Sequence, residues 1–337
     1  MKAVIIFNPH AHSGETSQRI SAAHEEIVQR IQQTLKLDSV DWLETEHPGH
    51  ATVLASDATR SGCDYIFAGG GDGTINEVLN GLMSQAPTKS KRPIFGVLPF
   101  GTSNDFFAAL RAAEAAQKTP DLNQNTLPLD VGQVVFDDLK RYFCLTTGIG
   151  LLSWANEQYL SASHRFGRRF AHIPAAITAI LTYRFLPNVR ISENGKRFRQ
   201  RRMLALLVCN SPVIAGGLPV TPEAQINDGY LDVCMVKPVS LLRLLWLAVQ
   251  ISRKAHMHSR SVTLERITTM TVIAKKPLPV LIDGELIPEV DSKARRMEIT
   301  VLPAALRVVK PSLCDYNFNH GNPLETLIPA ASPSFRM

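Results

Sequence analysis

Two short apolar runs, residues 65–68 and 94–98, each stop at a glycine-bearing turn that gives way at once to a helical pattern. The first turn is Gly69-Gly70-Gly71-Asp72-Gly73, after which Ile75, Val78, Leu79, Leu82 and Met83 recur at helical spacing. The second is Pro99-Phe100-Gly101-Thr102, followed by another helical stretch. Few folds accept strand, tight turn and helix in direct succession. The natural one is a parallel sheet with right-handed crossovers, in which both turns lie at the carboxyl rim where ligands bind. The alternation begins earlier, with a strand at 3–7 stopped by Asn8-Pro9 and a helix carrying Ile20, His24, Ile27, Ile31 and Leu35. A strand at 39–44 and a helix with Val53, Leu54 and Ala58 on its inner face complete it.

From about residue 127 the texture changes to short β-like runs at 129–136, 142–147, 188–192, 197–209, 230–236, 261–274, 278–282 and 297–302. Asn194-Gly195 is a hairpin signal of the I′ type. Helical patterns interrupt near 173–186 and 239–252. The expected architecture is an α/β nucleotide-binding lobe with a parallel sheet, followed by a mainly antiparallel β-sandwich lobe. The first lobe spans 1–126, with about 303–325 returning to it; the second spans 127–302, and 326–337 form a loose tail.

Glycines let backbone amides approach anionic oxygens closely, and the dipole of the following helix favours negative charge there. Residues 69–77 therefore read as a phosphate cradle, with Thr74 able to donate its hydroxyl. Asp72 beside phosphate implies a Mg2+ ion or its waters. The same turn also reads as a plain strand-to-helix corner with Asp72 or Thr74 as its cap. Neither the P-loop ending Gly-Lys-Ser/Thr nor the dinucleotide fingerprint is present in this register. In the second turn Gly101 and Thr102 could flank a nucleotide while Asn104 or Asp105 caps the helix. In Asp283-Gly284-Glu285 a carboxylate could accept a hydroxyl proton during phosphoryl transfer, or the three residues could form only a β-turn. The carboxylates and turn carbonyls of 222–232 could chelate a hard cation, or form a solvated loop.

Together, Phe7-Asn8-Pro9, residues 69–77, 98–106, Asn210-Ser211, residues 222–232 and 283–285 resemble the diacylglycerol kinase catalytic-domain family, which is related to sphingosine and ceramide kinases. The matches run in order over roughly residues 3 to 310. The resemblance implies an ATP- and Mg2+-dependent kinase that phosphorylates a lipid hydroxyl, most simply turning diacylglycerol into phosphatidic acid. It places ATP against Gly70, Gly71, Asp72, Gly73, Thr74, Ile75, Asn76 and Glu77, with Gly101, Thr102 and Thr45. Glu285 is then the proton acceptor, and Asp72 the second catalytic acid. The resemblance puts magnesium on the Asp228 carboxylate and the main-chain oxygens of Gln225 and Tyr230. This sequence departs from the family pattern at residues 8–14, at Ala215-Gly216-Gly217-Leu218 and after Gly150.

Among 337 residues, Lys and Arg exceed Asp and Glu by 36 to 30, a net charge of +6 that suits an anionic partner. No zinc-finger spacing or RNP-like aromatic run points to nucleic acid. Residues 196–202, with Arg165, Arg168 and Arg169, could rest on an anionic membrane surface, or form an ordinary solvated face. The stretches 173–186 and 241–251 could add apolar contact, or belong to the core. The greasiest stretch, 241–251, falls well short of the roughly 20 residues of a membrane span. The first ten residues lack the features of a secretory leader. Five scattered cysteines without paired spacing fit a reducing cytoplasm, with peripheral contact at the inner membrane face. A homodimer is left open. Two rival readings are a kinase of a soluble substrate, similar to an NAD kinase, and a non-catalytic nucleotide- or lipid-binding regulator.

Overall fold

The computed structural model describes residues 1–11, 20, 23–85, 92–101, 103–117, 125–136, 139–151, 153–156, 178, 189–275, 280–286 and 295–314. The expected helix at 173–186 (apart from Thr178), Thr102, Arg165, Arg168, Arg169 and the tail 326–337 lie outside them. The chain divides into two compact units, Met1–Leu127 with Leu306–Met337, and Pro128–Ala305.

The first unit alternates strand and helix: β1 (Lys2–Phe7), α1 (His24–Leu35), β2 (Ser39–Glu44), α2 (His50–Arg60), β3 (Tyr65–Gly70), α3 (Asp72–Ser84), β4 (Ile94–Pro99) and α4 (Asp105–Ala115). The strands pair in parallel in the order β2-β1-β3-β4, and Val308 pairs with Phe95 beyond β4. β1 and β3 are buried on both faces, which is why they read as continuous apolar runs. Ile27, Ile31 and Leu35 of α1 join Ala3, Ile5, Phe7 and Phe67 in a core on one face of this sheet. α2 departs from its hydropathy pattern. Ala51, Ala55, Ala58 and Thr59 are its buried residues, whereas Val53 is 53% exposed. The reason is close helix packing: a Cβ on Gly81 of α3 would lie 2.4 Å from the Thr52 carbonyl and 2.6 Å from the Ala55 Cβ. Only small side chains fit such an approach, so size overrides hydrophobicity here.

The second unit is antiparallel. Its chain order is β5 (Thr126–Phe136), β6 (Leu139–Phe143), β7 (Thr146–Gly150), β8 (Val189–Glu193), β9 (Arg199–Arg201), β10 (Ala205–Cys209), β11 (Leu231–Val236), α5 (Leu241–Ser252), β12 (Val262–Ile267), β13 (Thr269–Ile273), β14 (Val280–Ile282), β15 (Glu285–Leu286) and β16 (Arg296–Val309). One sheet has the order β12-β11-β10-β7-β14-β15; β16, β13, β8 and β9 form the other, and β5 pairs with β6 as well as with β16. Val208, Val233, Ile149 and Ile282 of the first sheet meet Ile191, Val272, Met270 and Ile299 of the second in one core.

Three runs read as single strands are pairs. The run 142–147 breaks at Cys144-Leu145, where the backbone amides turn to the Asp283 carboxylate. The run 197–209 becomes β9, paired with β8, and β10, paired with β7 and β11 in the other sheet. The run 261–274 divides at Thr268, whose amide donates to Asn194 Oδ1, and β12 and β13 enter different sheets. Local periodicity is the same on either side of such a crossover, so hydropathy alone runs through it.

Candidate functional site

At the carboxyl ends of β3 and β4 the two glycine turns touch. A Cβ on Gly101 would lie 2.2 Å from the Gly71 Cα, so Gly101 has no room for a side chain, and one on Gly71 would press on the Gly101 Cα at 3.3 Å. Asn104 adopts a left-handed conformation, with φ of 52°, and braces its own turn. Its Oδ1 accepts from the Gly101 amide at 3.0 Å, and its Nδ2 donates to the Pro99 and Gly101 carbonyls. Its side chain therefore does not cap α4, although the sequence pattern predicts a cap from Asn104 or Asp105. The cap comes from the other turn: the Asp72 carboxylate accepts from the amides of Asp105 at 3.2 Å and Phe106 at 3.1 Å. A carboxylate on the first amides of a helix satisfies donors that would otherwise lack partners, and it complements the dipole. Asp72 thereby pins the start of α4.

The start of α3 differs. Its cap residue is Gly71, in extended conformation, which has no side chain to bond the helix amides. Gly71, Asp72 and Gly73 thus present a helix start beside the Gly101 contact, the geometry that accepts anionic oxygens. Thr74 is buried, and its Oγ1 accepts from Asn8 Nδ2 at 3.0 Å. The Asn8 amide donates to the Gly69 carbonyl, and the Thr45 amide to the Phe7 carbonyl. Asn8, Gly69 and Thr74 are thereby gathered at one rim, with buried Thr45 tied to the end of β1. The rest of the expected contact run makes contacts of its own. Ile75 is fully buried, and the Glu77 carboxylate accepts from the Gly49 and Ala51 amides at 2.9 and 3.1 Å, holding the start of α2. Asn76 Oδ1 accepts from Asn80 one turn later.

In the second unit, Asp283 and Gly284 both have positive φ, 44° and 89°, forming the two-residue turn between β14 and β15. The Asp283 carboxylate is buried and accepts three backbone amides, from Cys144 at 3.0 Å, Leu145 at 2.9 Å and Thr146 at 2.8 Å. Glu285, two residues on, is exposed. Asn156 Nδ2 holds the Gly284 carbonyl at 2.8 Å. The turn therefore has an anchored acid and a presented one.

The loop before β11 carries the expected cation ligands. Asp228 Oδ2 pairs with Arg266, Oδ1 accepts the Tyr230 amide, and the Arg266 guanidinium also covers the Tyr230 ring. Arg266 Nε lies 3.7 Å from Asp232 Oδ1. Among the described residues no group of three or more His, Cys, Asp or Glu could hold a metal ion. Of the expected set of Gln225, Asp228 and Tyr230, the one carboxylate is thus paired with the Arg266 guanidinium. Asp232, beneath it, is pushed up to about 6 by burial and then by Glu223.

Sequence reasoning missed Asp130. It is buried within β5 and accepts the Gly229 amide at 2.6 Å and the Ala304 amide at 2.7 Å; its carbonyl accepts Asn210 Nδ2 at 2.8 Å. It ties the loop before β11 to β5 and β16. The available signal was an acid inside an apolar strand, since a buried carboxylate requires partners.

The comparisons agree with this organisation. Residues 2–134 match the family described as diacylglycerol kinase catalytic domain, and residues 149–310 that described as YegS C-terminal NAD kinase beta sandwich-like domain. A diacylglycerol kinase of Bacillus subtilis (strain 168) is 31% identical over 246 residues, covering 70% of this chain and 78% of the relative. One from Staphylococcus carnosus (strain TM300) is 29% identical over 244 residues, covering 72% and 76%. The crystal structure of a diacylglycerol kinase from Bacillus anthracis str. Sterne superposes with a TM-score of 0.65 at 20% identity, covering 93% of this chain and 98% of that one.

Proposed function

The chain belongs to the diacylglycerol kinase family, and from that premise we propose that it transfers the γ-phosphoryl group of ATP to a lipid hydroxyl, with diacylglycerol as acceptor and phosphatidic acid as product. The observation that carries this reading is the contact between the Gly71 and Gly101 turns beside the start of α3. The triphosphate lies against Gly70, Gly71 and Gly73 and the first amides of α3, with Thr45 and Gly101 alongside. Aligned amides stabilise the negative charge that phosphoryl transfer spreads over the phosphate oxygens. Mg2+ bound with the nucleotide supplies further charge neutralisation there. Asp72 fixes the two turns against each other. Glu285 accepts the proton of the acceptor hydroxyl as its oxygen attacks the γ-phosphorus, and ADP leaves with the electron pair of the broken bond. The acceptor is a membrane lipid met at the bilayer surface; among the described residues no helix is long and apolar enough to cross a membrane.

The test is mass spectrometry of a total lipid extract after incubation with ATP and Mg2+. Phosphatidic acid should accumulate with the wild type. Gly101→Ala, which forces the turns apart, should lower the rate by about 10²-fold or more. Phosphorylation of NAD with no lipid product would overturn the proposal.

A further inference from the structure

α5 faces two ways. Leu247 is buried, and it packs with the partly buried Leu244 and Ile251 against Ala205, Leu207, Cys234 and Val236. These three helix positions form one stripe at spacings of three and four. The opposite side carries Leu241, Leu242, Leu245, Trp246 and Val249, which are 43, 80, 48, 58 and 40% exposed. Scattered exposed apolar residues are ordinary, but five on one helix face mark an interaction surface.

The charge around this face identifies its occupant. Between Asp232 and Glu265 the sequence holds no acidic residue and five cations: Lys237, Arg243, Arg253, Lys254 and Arg260. All five are exposed, and none is in an ion pair among the described residues. A second copy docking here would bring like charges together, whereas an anionic surface neutralises them. The helix has 12 residues, far below the roughly 20 that a span requires, so it would lie in the plane of an interface. An indole on the outward face suits the headgroup boundary.

We propose that the outward face of α5 is the element that docks this protein on an anionic lipid bilayer. Leu241, Leu242, Leu245 and Val249 enter the acyl boundary, Trp246 sits at headgroup level, and the flanking cations meet anionic headgroups. The proposal rests on the lipid-kinase reading, because an acceptor held in a bilayer has to be reached at its surface.

The test compares co-sedimentation with phosphatidylcholine vesicles, with and without phosphatidylglycerol, against phosphorylation of a short-chain diacylglycerol dispersed as monomers. The doubly substituted Leu242→Glu/Leu245→Glu protein should partition at least about tenfold more weakly and keep wild-type activity on the dispersed acceptor. Arg253→Glu/Lys254→Glu should lose the preference for phosphatidylglycerol vesicles. Should the first variant fold poorly, Leu242→Ser/Trp246→Ser carries the same expectation with less perturbation. A folded variant that still partitions like the wild type overturns the proposal. So does a lipid-free wild-type dimer that the leucine variant dissociates without changing vesicle binding. Vesicle binding by a wild type that phosphorylates no dispersed diacylglycerol would instead overturn the lipid-kinase reading and leave the docking surface intact.

Discussion

The glycine turn before α3 and the Asp283-Gly284-Glu285 turn before β15 solve one problem in two ways. Each holds an acid bound by backbone amides. Asp72 is partly exposed and takes two amides from a neighbouring turn. Asp283 is buried and takes three from one stretch of chain. What lies beside the acid also differs: in the first turn it is the start of a helix, in the second the exposed Glu285. An acid at a motif is thus not automatically a reacting one, and amide partners mark Asp72 and Asp283 as braces.

Substitutions can break that distinction. The largest effect belongs to Glu285→Gln, which should lower kcat by about 10²–10⁴-fold while the thermal midpoint stays unchanged. Full activity in that variant would remove Glu285 from the reaction. Asp72→Asn keeps the shape but weakens the hold on α4 and alters the charge beside the phosphates. Its expected loss is about 10²-fold in kcat, with about 1 kcal/mol of stability by denaturant titration. Asp283→Asn should reverse that balance. Three buried amides keep one full acceptor between them, so stability falls by about 2–3 kcal/mol, while the folded fraction retains its turnover. If Asp283→Asn proves silent in stability and inactive, the two acids have exchanged roles.

The smallest expected effect concerns Asp232, a half-buried acid without the amide partners of Asp283; its Oδ2 has no hydrogen-bond partner among the described residues. Its ordinary value is 3.8 and its folded value about 6, so the folded state holds the proton more tightly. Wild-type stability therefore falls as the pH rises through that window. Asp232→Asn removes the cost of the charge and should be more stable by about 1 kcal/mol above pH 6. The gain should vanish as the pH drops below about 4. Thermal melts of both proteins across that range read it directly.

Much of the α/β unit was legible because its signals are local. The pattern of Ile75, Val78, Leu79, Leu82 and Met83 needs no partner to announce a helix, and all five are buried. The inner face of α2 was not legible, since choosing Ala51 and Ala55 over Val53 depends on how closely α3 approaches. In the antiparallel unit the pairs β9/β10 and β12/β13 ran together in the sequence, because a strand that changes sheets keeps its hydropathy. The site divides in the same way. Asp72, Gly71, Gly101 and Glu285 stood out by motif, whereas Asp130 did not, its amide partners being 99 and 174 residues away.

By itself, the sequence determined where strands turn into helices and which turns carry glycine and acid, because backbone preference and periodicity act over a few residues. Only the tertiary structure decided what each acid does. Asp72 meets Phe106 across 34 residues, and Asp283 meets Cys144 across 139. A carboxylate's role follows from which amides the fold delivers to it, and no local pattern encodes that.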